Sequence, residues 1–130
     1  MITNIACIAI GSAFGGISRY GLSRLLNPIF INLPLGTFSV NVLGCFILGF
    51  INALALKNSP FSPAIHLALT TGFCGSFTTF STFICESAKI AEQRKFSSIL
   101  YACLSLVFGF LAFFLANQIV KKKKKKYPFL

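Results

Sequence analysis

Acidic side chains are nearly missing from this chain: 130 residues hold two, Glu86 and Glu92, with no aspartate, no tryptophan and a single histidine, His66. That scarcity removes whole classes of chemistry. Acid–base carboxylate pairs, nucleophile–base pairs and carboxylate-rich metal sites all lack parts, and no glycine-rich loop with a lysine offers a phosphate cradle. The chain is therefore not expected to be an enzyme. The five cysteines, Cys7, Cys45, Cys74, Cys85 and Cys103, are odd in number, widely spaced and without a CxxC or zinc pattern. Each reads as a small hydrophobe within an apolar stretch. The N-terminus lacks the basic region and small-residue cleavage site of a secretory signal, so the first apolar stretch is expected to be retained.

What the chain has instead is apolar surface: 55% of its residues are hydrophobic and its mean hydropathy is +0.80. A bilayer core about 30 Å thick needs roughly 20 apolar residues per spanning helix, and four such segments fit. They run over about 2–26, 35–56, 63–88 and 96–120, separated by the proline-bounded link 28–34, the turn Lys57-Asn58-Ser59-Pro60 and a hydrophilic link 89–95 that includes Glu92. Links this short force antiparallel neighbours, so the expected architecture is one all-α, four-helix transmembrane domain over residues 1–120 with both termini on one side. A basic tail, 121–130, follows.

The formal charge is +10, and the run Lys121–Lys126 supplies six of it. A lysine block directly after an apolar helix reads as an anchor at an anionic lipid surface rather than as a nucleic-acid site. Orientation follows the lysine and arginine bias of short loops. Lys57 and the six tail lysines stand on the terminal side, against Arg19, Arg24, Lys89, Arg94 and Lys95 on the other. Without the tail the bias reverses. Two expectations stand: insertion both ways, or a tail that fixes the termini in the cytoplasm.

The polar residues inside the apolar segments carry the functional signal. The first segment has Gly11, Gly15 and Gly16, then Arg19, which either snorkels to the interface or attracts an anion. In the second, Thr37 and Asn41 share a face, and an asparagine amide in hydrocarbon either joins helices or faces a water-filled path. The third contains Gly72-Phe73-Cys74-Gly75-Ser76-Phe77-Thr78-Thr79-Phe80-Ser81-Thr82-Phe83, glycine and hydroxyl residues crowded at mid-membrane. Such a run is a poor helix former, and a local break is expected whose freed carbonyls suit a hard cation such as sodium. Phe77, Phe80 and Phe83 are expected to share one face, with Thr79, Thr82 and Glu86 as a polar stripe beside it. Tyr101, Ser105 and Gly109, each four apart, form a face of the fourth segment that serves either helix packing or the lining of a narrow path.

Amide, hydroxyls and aromatic edges offer hydrogen-bond donors and positive potential with almost no negative charge, which suits a small anion. Phenylalanine contributes because its ring edge is the positive part of its quadrupole. Two other readings are open: a four-helix proton-coupled multidrug exporter using Glu86, and a helical membrane subunit that transports nothing.

Four pieces in order, Gly15-Gly16-Ile17-Ser18-Arg19-Tyr20, Gly36 through Gly44, Gly72 through Phe83, and the Tyr101/Ser105 spacing, resemble the CrcB/Fluc family of fluoride channels over nearly the whole chain. The resemblance implies passive, fluoride-selective export across the bacterial plasma (inner) membrane, which lowers cytoplasmic fluoride toxicity. It implies a dual-topology antiparallel homodimer with two pores and a structural sodium ion at its centre, held by the carbonyls of Gly75 and Thr78. Phe80 and Phe83 would present ring edges to fluoride, with Asn41, Tyr101 and Ser105 lining the pore. Thr79, Thr82 and Glu86 match the polar track and Arg19 the vestibule arginine. The chain departs from the family at Gly109, where some relatives carry serine, and in its lysine tail. A tail that biases orientation implies a heterodimer with an oppositely oriented paralogue as the other assembly.

Overall fold

The computed structural model describes residues 1–29, 33–56 and 61–126, with Ile29 and residues 123–126 described by backbone alone. Among the described residues every secondary-structure element of the chain is helical. Its elements are α1 (Ile2–Leu26), a 3-10 turn (Asn27–Ile29), α2 (Leu35–Ala55), α3 (Pro63–Leu67), a π-helical segment (Ala68–Cys74), α4 (Gly75–Phe77), α5 (Phe80–Gln93) and α6 (Lys95–Lys126). Among the described residues four stretches are long and apolar enough to cross a membrane: Ile2–Leu26, Leu35–Ala55, Pro63–Gln93 and Lys95–Lys122. The chain is a multi-pass membrane protein, and its surface fits that environment. Ile5, Phe14, Ile17, Leu106 and Phe110 are exposed, while the buried residues include Val40, Thr37, Phe77, Phe83, Tyr101 and Ala116.

With lipid outside as apolar as leucine, helices associate where backbones can approach closely. Along α1 that approach is made by glycine. A Cβ on Gly11 would collide with the Ala68 carbonyl oxygen and one on Gly15 with that of Phe73, while one on Gly72 would lie 2.7 Å from the Ile8 carbonyl oxygen. The same device joins α2 to α6, where a Cβ on Gly49 would lie 2.6 Å from the Phe113 carbonyl oxygen.

The boundaries correct two expectations. The supposed link 89–95 is almost wholly helical: α5 continues through Gln93, Glu92 included, and Arg94 alone leaves the helix at φ −147°, ψ 88° before α6 begins. Lysine, glutamate, glutamine and arginine are good helix formers, so the loss of hydropathy does not end the helix. For the same reason α6 runs past Val120 to Lys126. Residues 30–32 of the first link, the turn Lys57–Pro60 and residues 127–130 of the tail lie outside the described residues.

Candidate functional site

The third span begins conventionally. Pro63 occupies the first turn, and the Ser62 hydroxyl accepts a hydrogen bond from the Ile65 N–H at 3.4 Å. Regularity is then lost. The Thr70 hydroxyl donates to the His66 carbonyl at 2.8 Å, the π-helical segment follows, and α4 ends at Phe77. Thr78 (φ −79°, ψ 156°) and Thr79 (φ −147°, ψ 117°) are extended.

Two extended residues at membrane depth leave backbone groups that need partners, because unpaired ones in hydrocarbon are costly. The Thr78 N–H donates to the Cys74 carbonyl at 3.0 Å, and Asn41 on α2 serves Thr79. Its Oδ1 accepts from the Thr79 N–H at 2.8 Å, and its Nδ2 donates to the Thr79 carbonyl at 3.1 Å. Thr79 then caps α5: its Oγ1 accepts from the Thr82 N–H at 3.3 Å and donates to the Thr82 hydroxyl at 2.9 Å. In a continuous α-helix the Thr79 and Thr82 N–H groups would serve the carbonyls of Gly75 and Thr78. Here both donors are turned to side chains instead.

The expected phenylalanine stripe divides at the same point. Phe77 stacks on Phe73, with ring centroids 5.5 Å apart and planes 12° apart, whereas Phe80 pairs with Phe83 at 5.9 Å. Phe77 therefore does not share a face with the other two, because two extended residues carry the chain out of helical register. Phe83 is buried against Tyr101, centroids 5.5 Å apart, while Phe80 is 73% exposed.

The expected polar stripe divides into two groups. Thr79 and Thr82 are bonded to each other, while Glu86 turns towards α2 and α6. It accepts from the Thr37 hydroxyl at 2.9 Å and from the Tyr101 hydroxyl at 3.5 Å. Thr37 is the residue that sequence reasoning left without a role, although its four-residue spacing from Asn41 placed it on the right face.

A cavity of about 570 Å³ opens between α2, the third span and α6. Gly75, Thr78, Thr79, Phe80, Phe83, Asn41 and Ser105 all line it, and Gly109 leaves room beside Cys45. Tyr101 stands behind Phe83, one turn of α6 from Ser105. Arg19, half-buried on α1, does not line this cavity. The lining contains amide, hydroxyl and aromatic groups and no carboxylate, a set that offers donors and ring edges to an anion without a fixed charge to trap it.

Comparison with known proteins identifies the family. Residues 6–117 match the model of a family described as CrcB-like protein, Camphor Resistance (CrcB). A Chlorobium phaeobacteroides protein named fluoride-specific ion channel FluC is 47% identical over 116 residues, covering 88% of this chain and 89% of that protein. Proteins of the same name from Chlorobium chlorochromatii and Gloeothece citriformis are 40% and 42% identical, covering 86% and 91% of this chain and 88% and 97% of their own lengths. The family is not enzymatic. With a family model matched over most of its length and relatives 40–47% identical across at least 86% of the chain, this chain belongs to the CrcB-like family.

Proposed function

We propose that this chain is a passive fluoride-selective channel of the bacterial inner membrane, releasing fluoride from the cell and so limiting its toxicity. The observation that carries the reading is the clasp of Asn41 on Thr79. It spends an amide on shaping the backbone, and it sets Phe80 and Phe83 at the start of a helix whose side chains face the same cavity as Ser105. An ion leaving water for a low-dielectric path loses hydration worth tens of kcal/mol in a Born estimate. Closely placed donors must replace that hydration.

On this reading the ring edges of Phe80 and Phe83, the Ser105 hydroxyl and the second Nδ2 hydrogen of Asn41 meet fluoride in turn. The Thr79 and Thr82 hydroxyls flank the path, and Tyr101 receives the ion beyond Phe83. Glu86 orients the Thr37 and Tyr101 hydroxyls by accepting from both. Arg19 contributes positive potential near the membrane edge. No proton-coupled step is needed, and the exporter reading built on Glu86 is not favoured by relatives named as fluoride channels.

The extended pair Thr78–Thr79 is read as a break in the third helix. The carbonyls of Gly75 and Thr78, whose helical donors are turned elsewhere, fit a small hard cation, and a Cβ on Gly75 would have only the Thr70 carbonyl oxygen near it, at 3.9 Å. When bound there, sodium supplies a fixed positive charge that gathers carbonyls at the centre of a dimer. The exposure of Phe80 and Gly75 fits a face covered by a second, antiparallel copy, in a homodimer or with an oppositely oriented paralogue. Residues 1–120 form the channel domain, and the lysine tail meets anionic lipid, not nucleic acid.

Expression in a fluoride-sensitive bacterial strain tests the physiological half of this reading. Growth restored in fluoride medium is the expected result; growth no better than that of the empty vector contradicts it.

A further inference from the structure

Phe83 and Tyr101 stand on two helices that a single residue joins. Arg94 alone separates α5 from α6, so the two helices return side by side and bring the rings of Phe83 and Tyr101 to 5.5 Å between centroids. Two side-chain hydrogen bonds cross between these helices. The Tyr101 hydroxyl donates to Glu86 Oε2 at 3.5 Å, and the Ser98 hydroxyl donates to the Ser87 carbonyl at 2.7 Å.

The two bonds are unequal. Hydroxyl–oxygen bonds lie at about 2.5–3.0 Å, so the contact with Glu86 holds the Tyr101 hydroxyl loosely, while the Ser98 bond fixes the level of α6 against α5. A carbonyl oxygen has two lone pairs, which leaves room for this bond beside a helical one. Ser98 is buried, where a hydroxyl without a partner is costly. It lies three residues before Tyr101, on the same face of α6. On the other helix the Ser87 hydroxyl donates to the Phe83 carbonyl at 2.7 Å. The bond from α6 therefore lands one turn from the residue whose ring meets Tyr101, and Ser98, Ser87 and Phe83 form a continuous line from one helix to the other.

We propose that Ser98 is a positioning residue for the fluoride path, holding α6 at the level where the Tyr101 hydroxyl takes up an anion from the Phe83 ring edge. The inference rests on the channel reading above. Ser98 is not among the residues that line the cavity around Phe83, so it acts through Tyr101 and not on the ion. A donor that replaces water around a passing ion works only at hydrogen-bond distance, and the Ser98 bond is the constraint that keeps Tyr101 there. The competing role for Ser98 is to stabilise the pairing of α5 with α6 and nothing more, as interhelical bonds within membranes do.

Single-channel fluoride current in a planar bilayer separates the two roles, because it reads conduction per channel and not how much protein is folded. Four full-length chains are compared at one voltage: the parent, Ser98→Ala, Tyr101→Phe and the double variant. An interhelical hydrogen bond in a membrane, expressed as a rate, is a factor of about three. Ser98→Ala is expected to lower the unitary current by at least that factor in the parent background. In the Tyr101→Phe background it is expected to bring no further loss, since members of one network couple while independent effects add. A parental unitary current in Ser98→Ala, seen in fewer channels, marks a structural role and overturns the proposal. The same fractional loss in both backgrounds overturns it too. So does a parental current in Tyr101→Phe, which takes that hydroxyl off the path and leaves the channel reading standing. If Tyr101→Phe carries no current, Ser98→Ala alone decides. If the parent chain carries no fluoride current, the channel reading itself fails and this proposal with it.

Discussion

Asn41 and Thr79, 38 residues apart, are joined at two points: the Asn41 Oδ1 accepts from the Thr79 N–H at 2.8 Å, and its Nδ2 donates to the Thr79 carbonyl at 3.1 Å. One side chain thus satisfies both backbone groups of an extended residue inside a membrane span, and through that residue it sets the start of α5.

Replacing Asn41 by alanine leaves the N–H and C=O of Thr79 without these partners, each at a penalty of about 1–3 kcal/mol. A rise of about 1.4 kcal/mol in the conduction barrier slows flux about tenfold. The expected outcome is a lower melting temperature in detergent together with a loss of fluoride efflux of at least that size. Asn41→Asp keeps the acceptor for the Thr79 N–H but puts negative charge on the cavity wall, and it is expected to fold and not conduct. Either variant passing fluoride at the parental rate contradicts the role given to the clasp.

Phe80 and Phe83 separate stability from transport, because one is exposed and the other is packed on Tyr101. Isoleucine keeps bulk and removes the ring edge. Phe80→Ile gives up its ring contact with Phe83 but leaves the Phe83–Tyr101 pair intact, and it is expected to lose less stability than Phe83→Ile while conducting at least about tenfold more slowly, a barrier change of about 1.4 kcal/mol. Phe83→Ile also gives up an aromatic pair worth about 0.5–1.5 kcal/mol and is expected to lose both stability and flux. Unchanged efflux in both variants refutes the ring-edge contact.

Sodium removal tests the freed carbonyls of Gly75 and Thr78. Purification and reconstitution in a large organic cation, with sodium absent on both sides, is expected to reduce fluoride efflux, and returning sodium is expected to restore it. Indifference to sodium would count against a structural cation at that place.

The glycine contacts predict where side chains are not tolerated. Gly72→Val sets a branched side chain against the Ile8 carbonyl oxygen, already 2.7 Å from a Cβ, and overpacking of this kind costs about 1–3 kcal/mol. In size-exclusion chromatography the variant is expected to give a broader peak than the parent chain or none. Gly16→Val, with nothing within 4 Å of its Cβ, is the control and is expected to behave like the parent chain.

The four spans were legible because membrane crossing demands long apolar runs, and Gly72–Phe83 stood out because glycine and hydroxyl residues weaken a helix wherever they crowd. The partners were not legible. Nothing in spacing says that Asn41 meets Thr79, or that Thr37 meets Glu86 across 49 positions, since those pairs are set by how α2 packs against the third span. Periodicity also misled at Phe77, which three-residue spacing grouped with Phe80 and Phe83, because a helical repeat holds only while the backbone stays helical. At 89–93 the error was of another kind: a loss of hydropathy does not end a helix, and α5 continues for as long as its residues favour helix.

The most direct test of the channel reading is efflux from liposomes that contain the purified chain, loaded with equal fluoride and chloride, without a pH gradient, and driven by a potassium diffusion potential. Ion-selective electrodes read both anions. Fluoride is expected to leave promptly while chloride stays inside until detergent is added; chloride leaving as fast as fluoride, or fluoride moving only when a proton gradient is imposed, would contradict a passive fluoride-selective channel.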